Sequence, residues 1–259
     1  MKISVTGKGG VGKTTLTAGL CKYFADKGKR VFAIDADPDA NLAFTLSFPE
    51  PSSITPLIEM KKLIEDRTGA KPGNLSSFFK LNPRVDDIPD KYFVQHNGIK
   101  LAVMGTVRGG GMGCTCPENA FLRALLTHLF LEREEIVIID MEAGIEHLGR
   151  GTAQGVDELI VVVEPGKKSV ETAFRIRNLS FQLNIQNVSV VGNKVKDKKD
   201  KSYLLKSLSD FDFLGFLSFD DAILQADIEG ASFWEKSSNF RKEIEAIAEK
   251  LKEKHYEGR

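Results

Sequence analysis

The chain has 259 residues, with 36 Lys plus Arg balanced by 36 Asp plus Glu, 42% hydrophobic and 28% charged residues. That is an ordinary globular composition and excludes a disordered chain; the zero net charge gives no electrostatic ground for a nucleic acid or an anionic membrane as main partner. The longest apolar runs, such as Leu159–Val163, are too short to cross a bilayer, and Met1-Lys2-Ile3-Ser4-Val5 enters a strand pattern with no signal-peptide core, so a cytoplasmic protein is expected.

The first element is a strand over Lys2–Thr6, followed by Gly7-Lys8-Gly9-Gly10-Val11-Gly12-Lys13-Thr14 and a helix over Lys13–Lys27. This is the G-x-x-x-x-G-K-[ST] pattern in its required place between strand and helix. Glycines let the backbone curl with its N–H groups inward around phosphate oxygens, and the helix N-terminus adds its positive dipole end. Lys13 is placed to reach the β- and γ-phosphates and Thr14 to ligate Mg²⁺. Gly9, Gly10, Val11, Gly12, Lys13, Thr14 and Thr15 are the expected ATP/ADP-binding set. Cys21, inside the apolar-periodic helix, reads as a buried core thiol.

A second strand, Val31–Asp35, ends in the carboxylates Asp35 and Asp37. Residues 49–89 then hold six of the nine prolines, which long regular elements cannot cross. The stretch reads as an insertion on the ligand side, with one short helix near Ile58–Arg67, and its length hints at a lid or partner surface. The strand Ile99–Met104 leads to Arg108-Gly109-Gly110-Gly111-Met112-Gly113-Cys114-Thr115-Cys116-Pro117. Pro117 suits the first turn of a helix over Pro117–Leu131, which puts Cys116 near the N-cap, where thiolate is favoured. Two thiolates one residue apart cannot fill a tetrahedral shell, but two copies across a twofold axis supply four sulfurs for one metal ion, a set that zinc, nickel and iron all accept. A redox dithiol and two unrelated thiols are the alternatives.

The strand Ile136–Asp140 ends in an acid, as a Walker B strand should, so that Asp140 holds Mg²⁺ through water; a strand-end Asp can also simply cap a helix. Glu158–Glu164, Asn187–Gly192 and Phe213–Ser218 complete the strands. Ser169–Leu183, Lys199–Ser207 and Ser238–Lys254 complete the helices. Alternating strands and helices, with continuous apolar strands, predict one α/β domain over 1–259. Its mostly parallel sheet of about seven or eight strands is covered by helices on both faces. The last helix, as rich in Glu as in Lys, reads as a solvated amphipathic face without large apolar anchors, which disfavours membrane binding. His147 reads as a packing residue of the segment after Asp140 rather than a metal ligand, and His128 as structural.

The loop Gly-Lys-Gly-Gly-Val-Gly-Lys-Thr resembles the deviant phosphate loop of a P-loop NTPase class. That class includes the cell-division and plasmid-partition ATPases, the arsenite-pump ATPase and the nitrogenase iron protein. The resemblance implies face-to-face homodimers in which Lys8 crosses to the partner's nucleotide, a cation supplied in trans to the developing phosphoryl charge. It also implies that Asp37 orients the attacking water and that Asp35 lies near the Mg²⁺ shell. Asn193, with Lys194, reads adenine, and Phe216–Asp220, including Leu217, Phe219 and Asp220, flanks the base. The last match is loose, since the family often has Pro where Ser218 stands. With Gly113-Cys114-Thr115-Cys116-Pro117 and Asp140-Met141-Glu142-Ala143-Gly144-Ile145-Glu146-His147-Leu148, the chain is similar to the accessory ATPases that mature the nickel–iron–sulfur cluster of carbon monoxide dehydrogenase. That similarity implies an ATP-dependent nickel metallochaperone with a nickel enzyme as client, acetyl-CoA synthase being a second possible client, and no nucleic acid or membrane partner. The competing readings are a partition or positioning ATPase and an iron–sulfur electron-transfer ATPase; no cysteine follows Asp140, which argues against the latter.

Overall fold

The computed structural model describes residues 1–72, 78–105, 116–131, 135–142 and 153–256. Among these residues, eight strands form one sheet: β1 Lys2–Gly7, β2 Val31–Asp35, β3 Val94–His96, β4 Ile99–Val103, β5 Ile136–Asp140, β6 Glu158–Val163, β7 Val188–Val195 and β8 Asp212–Ser218. Their order is β3-β4-β2-β5-β1-β6-β7-β8. All pairings are parallel except the antiparallel edge pair β3–β4. The seven strands expected from apolar runs are present. The eighth, β3, is three half-exposed residues paired in a hairpin with β4, too short and too polar to stand out in sequence.

Every residue of β1, β2, β5 and β6 is buried, as a parallel sheet covered on both faces requires. Alternation divides their side chains between two cores. Phe32, Ile34, Val137, Ile139, Leu159, Val161 and Val163 enter one core; Ile3, Val5, Ala33, Ile138, Ile160 and Val162 enter the other. The first core is closed by α5 (Pro117–Leu131) and α6 (Lys167–Gln182), the second by α1 (Lys13–Asp26) and the terminal helix α10 (Ser238–Tyr256). Cys21 is fully buried there, and burial pushes its thiol pKa far up, as expected of a core thiol.

One expectation needs correction. The terminal helix does carry an apolar stripe: Phe240, Ile244, Ile247 and Leu251, at helical spacing, are all buried in the second core. Its amphipathicity is spent inside the protein, so the face left for solvent is the charged one. The proline-rich stretch carries the short helix expected near Ile58–Arg67 and also enters the core. It forms two 3₁₀ turns and α3 (Lys61–Thr68), and Leu57, Leu63, Ile64, Val85 and Ile88 are buried in the first core with Leu122, Leu125 and Leu129 of α5. No lid is needed to explain apolar residues that fill a core layer.

Short helices follow several strands: α2 (Leu42–Thr45) after β2, α4 (Ile88–Tyr92) before β3, α7 (Lys198–Ser207) after β7, and α8 (Asp221–Glu229) and α9 (Phe233–Lys236) after β8. Strand order reverses at β1, between β5 and β6, and ligands of such sheets bind beyond the carboxyl ends of the strands at that point.

Candidate nucleotide site

At the tip of β1 the chain turns through three glycines whose φ angles are positive: Gly7 (149°), Gly10 (78°) and Gly12 (91°). A Cβ on Gly7 would overlap the Val162 carbonyl oxygen, and one on Gly12 would overlap Nδ2 of Asn193. Gly12 is the N-cap of α1, and no acidic residue stands in that helix's first turn, so no side chain of the turn itself offsets the positive end of the dipole facing the loop.

The outward side of the loop explains where its carbonyls go. Asn193 Nδ2 donates to the Val11 carbonyl (2.7 Å), and Lys194 Nζ donates to the Gly10 carbonyl (2.6 Å). Asn193 Oδ1 in turn accepts from the Lys194 N–H (2.8 Å). Two of the loop's carbonyls are thus held from outside, while the Val11 N–H donates within the loop to the Lys8 carbonyl (3.4 Å); a loop braced in this way can turn its other N–H groups towards phosphate. Asn193 and Lys194 therefore brace the loop here, a role the family resemblance did not supply, although both also line the cavity at its base end.

Three acids stand across from the loop. Asp35 and Asp140 are opposite one another in register on β2 and β5, and both are fully buried. Asp140 Oδ2 accepts from Thr14 Oγ1 (2.6 Å) and Oδ1 from Thr17 Oγ1 (3.4 Å). Burial, with the neighbouring charges of Asp35 and Asp37, pushes its pKa up to about 7 against the lowering contributions of Thr14 and Lys13. Asp35 is raised to about 6, again chiefly by burial. Its oxygens accept from the N–H groups of Asp37 (3.2 Å) and Leu42 (2.8 Å), so Asp35 shapes the turn that presents Asp37. Asp37 faces the loop, 3.7 Å from Lys13 Nζ.

This donor set fits Mg²⁺. Thr14 and Asp140 offer hard oxygen donors 2.6 Å apart beside a cleft of about 870 Å³ lined by Gly9, Lys13, Thr14, Thr15, Asp37 and Glu142. Burial raises the Asp140 pKa, a cost that a cation bound beside the carboxylate would offset. Thr14 would ligate the ion directly and Asp140 would hold it through water.

At the base end the site opens into a second cavity of about 450 Å³, lined among others by Phe44, Asn193, Ser218, Phe219 and Asp220. Leu217 is fully buried beneath it. Ser218 replaces the expected proline with hydrogen bonds. Its N–H and Oγ–H donate to the two carboxylate oxygens of Glu243 on α10, at 3.0 and 2.6 Å. Asp220 accepts from the Ala222 N–H (2.8 Å) and from the Ser237 hydroxyl. Removing the anchor should loosen this loop: Glu243→Ala is expected to weaken ADP binding about three- to tenfold, the scale of one or two lost hydrogen bonds. Titration calorimetry checks this, and an unchanged affinity would mean the loop does not touch the base.

Sequence reasoning missed Thr17, Phe44, Glu164 and Glu243. Thr17 stands one helical turn from Thr14, a spacing that places both on one face and could have found it. Of the cysteines, Cys116 caps α5, its carbonyl accepting from the Ala120 N–H (3.0 Å), and its side chain is 6% exposed. Cys114, the preceding glycines and the segment 143–152 with His147 lie outside the described residues. No cluster of three or more metal-ligating side chains occurs among the described residues.

The CobQ/CobB/MinD/ParA nucleotide-binding domain matches residues 3–233. The chain belongs to that family. It is thus an ATPase of the MinD/ParA class, and the fold agrees. A chain of the MinC:MinD cell division protein complex of Aquifex aeolicus superposes with a TM-score of 0.69 at 20% identity, covering 96% of this chain and 94% of the other. Among curated relatives, the carbon monoxide dehydrogenase accessory protein CooC of Rhodospirillum rubrum is 47% identical over 98% of this chain and 97% of its own. An ATP-binding protein of Methanocaldococcus jannaschii is 45% identical over 95% of this chain and 96% of its own. Among the described residues no helix is long and apolar enough to span a membrane.

Proposed function

We propose that this MinD/ParA-class ATPase is an ATP-driven metallochaperone that carries nickel, with zinc as the alternative ion, to a nickel enzyme of the carbon monoxide dehydrogenase kind. The observation that carries the reading is the full-length 47% identity to CooC in a chain that contains Gly113-Cys114-Thr115-Cys116-Pro117. The cargo site is formed by Cys114 and Cys116 of two copies, four sulfurs around one ion. The partners are a second copy and the client enzyme, without nucleic acid or membrane, in the cytoplasm.

The residues divide the work as follows. Loop N–H groups and Lys13 bind the phosphates. Lys13 gives up its 3.7 Å contact with Asp37 when phosphate arrives, which frees Asp37 to orient and deprotonate the attacking water. Mg²⁺, when bound, supplies charge neutralisation on the β- and γ-phosphates. Lys8 from the partner neutralises charge on the transferred group. The pairing of copies brings the cysteines together, and hydrolysis, by separating them, lowers metal affinity; nucleotide and metal are coupled because each favours the paired state.

Metal content and molar mass, measured with ATP, with ADP and without nucleotide, test the proposal. About one nickel or zinc per two chains is expected with ATP, lost in Cys114→Ala/Cys116→Ala while nucleotide affinity stays within about twofold. A chain that binds no metal in any nucleotide state overturns it, and iron with sulfide replaces it with an electron-transfer role.

A further inference from the structure

Glu164 follows the last residue of β6 and faces two lysines from different parts of the nucleotide site. Lys8 Nζ lies 3.4 Å from Oε1, and Lys194 Nζ lies 3.6 Å from Oε2. The same Lys194 ammonium holds the Gly10 carbonyl. The Glu164 N–H donates to Ser169 Oγ at the start of α6 (3.1 Å), which fixes the strand tip. Sheet register sets the three segments side by side: Gly7 pairs with Val162, and Val163 with Gly192. Lys194 itself has φ +56°, a left-handed conformation unusual for a lysine and held by this network.

One carboxylate thus ties the base end, through Lys194, to the loop lysine. Lys8 in this arrangement is folded back on its own subunit, and an ammonium paired there is not free to reach a phosphate on another chain. The side chains of Lys8 and Glu164 are 37% and 27% exposed, so the pair is of the weak, solvent-screened kind. A polyphosphate carrying several charges outcompetes a single carboxylate of this sort, whereas a buried pair would hold the lysine permanently.

We propose that Glu164 is a positioning residue that retains Lys8 on its own subunit until nucleotide phosphate draws it away, while keeping Lys194 on the loop. The proposal rests on the reading of Lys8 as the cation supplied to the partner. It is tested with Glu164→Gln, Glu164→Asp, Lys8→Ala and the Lys8→Ala/Glu164→Gln double variant of the full chain. The first readout is acylation of Lys8 by acetic anhydride in nucleotide-free protein, followed by peptide mass spectrometry. Glu164→Gln should react about two- to fivefold faster, the range of an exposed ion pair, and Glu164→Asp should return towards the parent rate. The second is the ATP concentration for half-maximal dimerisation by sedimentation. It should fall about two- to fivefold in Glu164→Gln, with no such shift between Lys8→Ala and the double variant. Unchanged Lys8 reactivity in Glu164→Gln overturns the proposal, as does a shift in ATP requirement that persists without Lys8. Absence of ATP-dependent dimerisation in the parent protein overturns instead the reading of Lys8 as acting in trans, and the acylation rates still decide whether Glu164 holds it.

Discussion

Gly12→Ala is expected to lower ADP affinity at least about thirtyfold, whereas Gly9→Ala, three residues earlier in the same loop, leaves it within about threefold. Both substitutions add one methyl group. At Gly12 the backbone has φ +91° and the new Cβ would overlap the Asn193 amide. That amide holds the Val11 carbonyl, so the methyl group both strains the backbone and displaces the brace. A left-handed non-glycine residue costs about 1–3 kcal/mol, and a lost buried hydrogen bond adds about 1–3 kcal/mol; every 1.4 kcal/mol is tenfold in affinity. At Gly9 a Cβ meets nothing within 4 Å, and φ is not positive. ADP is the right probe because its binding needs no second copy. Calorimetric titration of both variants, with circular dichroism to establish folding, decides the matter. Equal losses at Gly9 and Gly12 would show that general loop flexibility, and not the brace, sets affinity.

The contrast marks how far sequence reasoning reached. The loop was legible because its chemistry is local: glycines, Lys13 and Thr14 act within eight consecutive residues. The strands Val31–Asp35 and Ile136–Asp140 and the helix Pro117–Leu131 have the predicted bounds, since fully buried parallel strands read as apolar runs and Pro117 marks a helix start. The short elements were not legible. Helix α2 has no periodicity of its own; it follows a turn fixed by the Asp35 carboxylate accepting from Leu42 N–H. Helix α8 likewise begins on Asp220, which accepts from Ala222 N–H. What sequence reasoning lost in the site is non-local. Glu164 and Lys8 are 156 residues apart, Asn193 and Val11 are 182 apart, and only the β1-β6-β7 order makes them neighbours. The strand-end carboxylate signal that found Asp140 applied equally to Glu164, which stands just beyond β6, but without the strand order it had no partner to point at.

The pair of buried acids carries the second large prediction. In nucleotide-free protein with EDTA, Asp140→Asn is expected to be more stable than the parent at pH 8 by about 2–4 kcal/mol, while ATP hydrolysis falls at least about a hundredfold. The stability follows from burial. Burial pushes the Asp140 pKa up to about 7 from 3.8 ordinarily, which corresponds to about 4 kcal/mol as an upper bound. The sign follows from proton binding. Between about pH 4 and 7 the folded state holds the proton more tightly than the unfolded chain, so the contribution is fully present below pH 4. It is lost as pH rises through 7. Asparagine is neutral throughout and keeps an acceptor for the Thr14 hydroxyl. The stability gap between variant and parent should therefore widen from pH 5 to pH 8 and then level off, at about 4–16 °C in Tm for a chain of this size. Parallel melts across that range measure it, the difference cancelling titrations common to both chains. A gap that stays flat with pH would mean that Asp140 is ionised at little cost, with its charge already compensated. With Mg²⁺ and nucleotide present the ordering should reverse, because only the parent gains the full binding free energy of the metal–nucleotide complex. Asp35 and Asp140 are held out of water in register at a cost to the metal-free fold, and on the proposed reading a cation arriving with nucleotide would offset that cost.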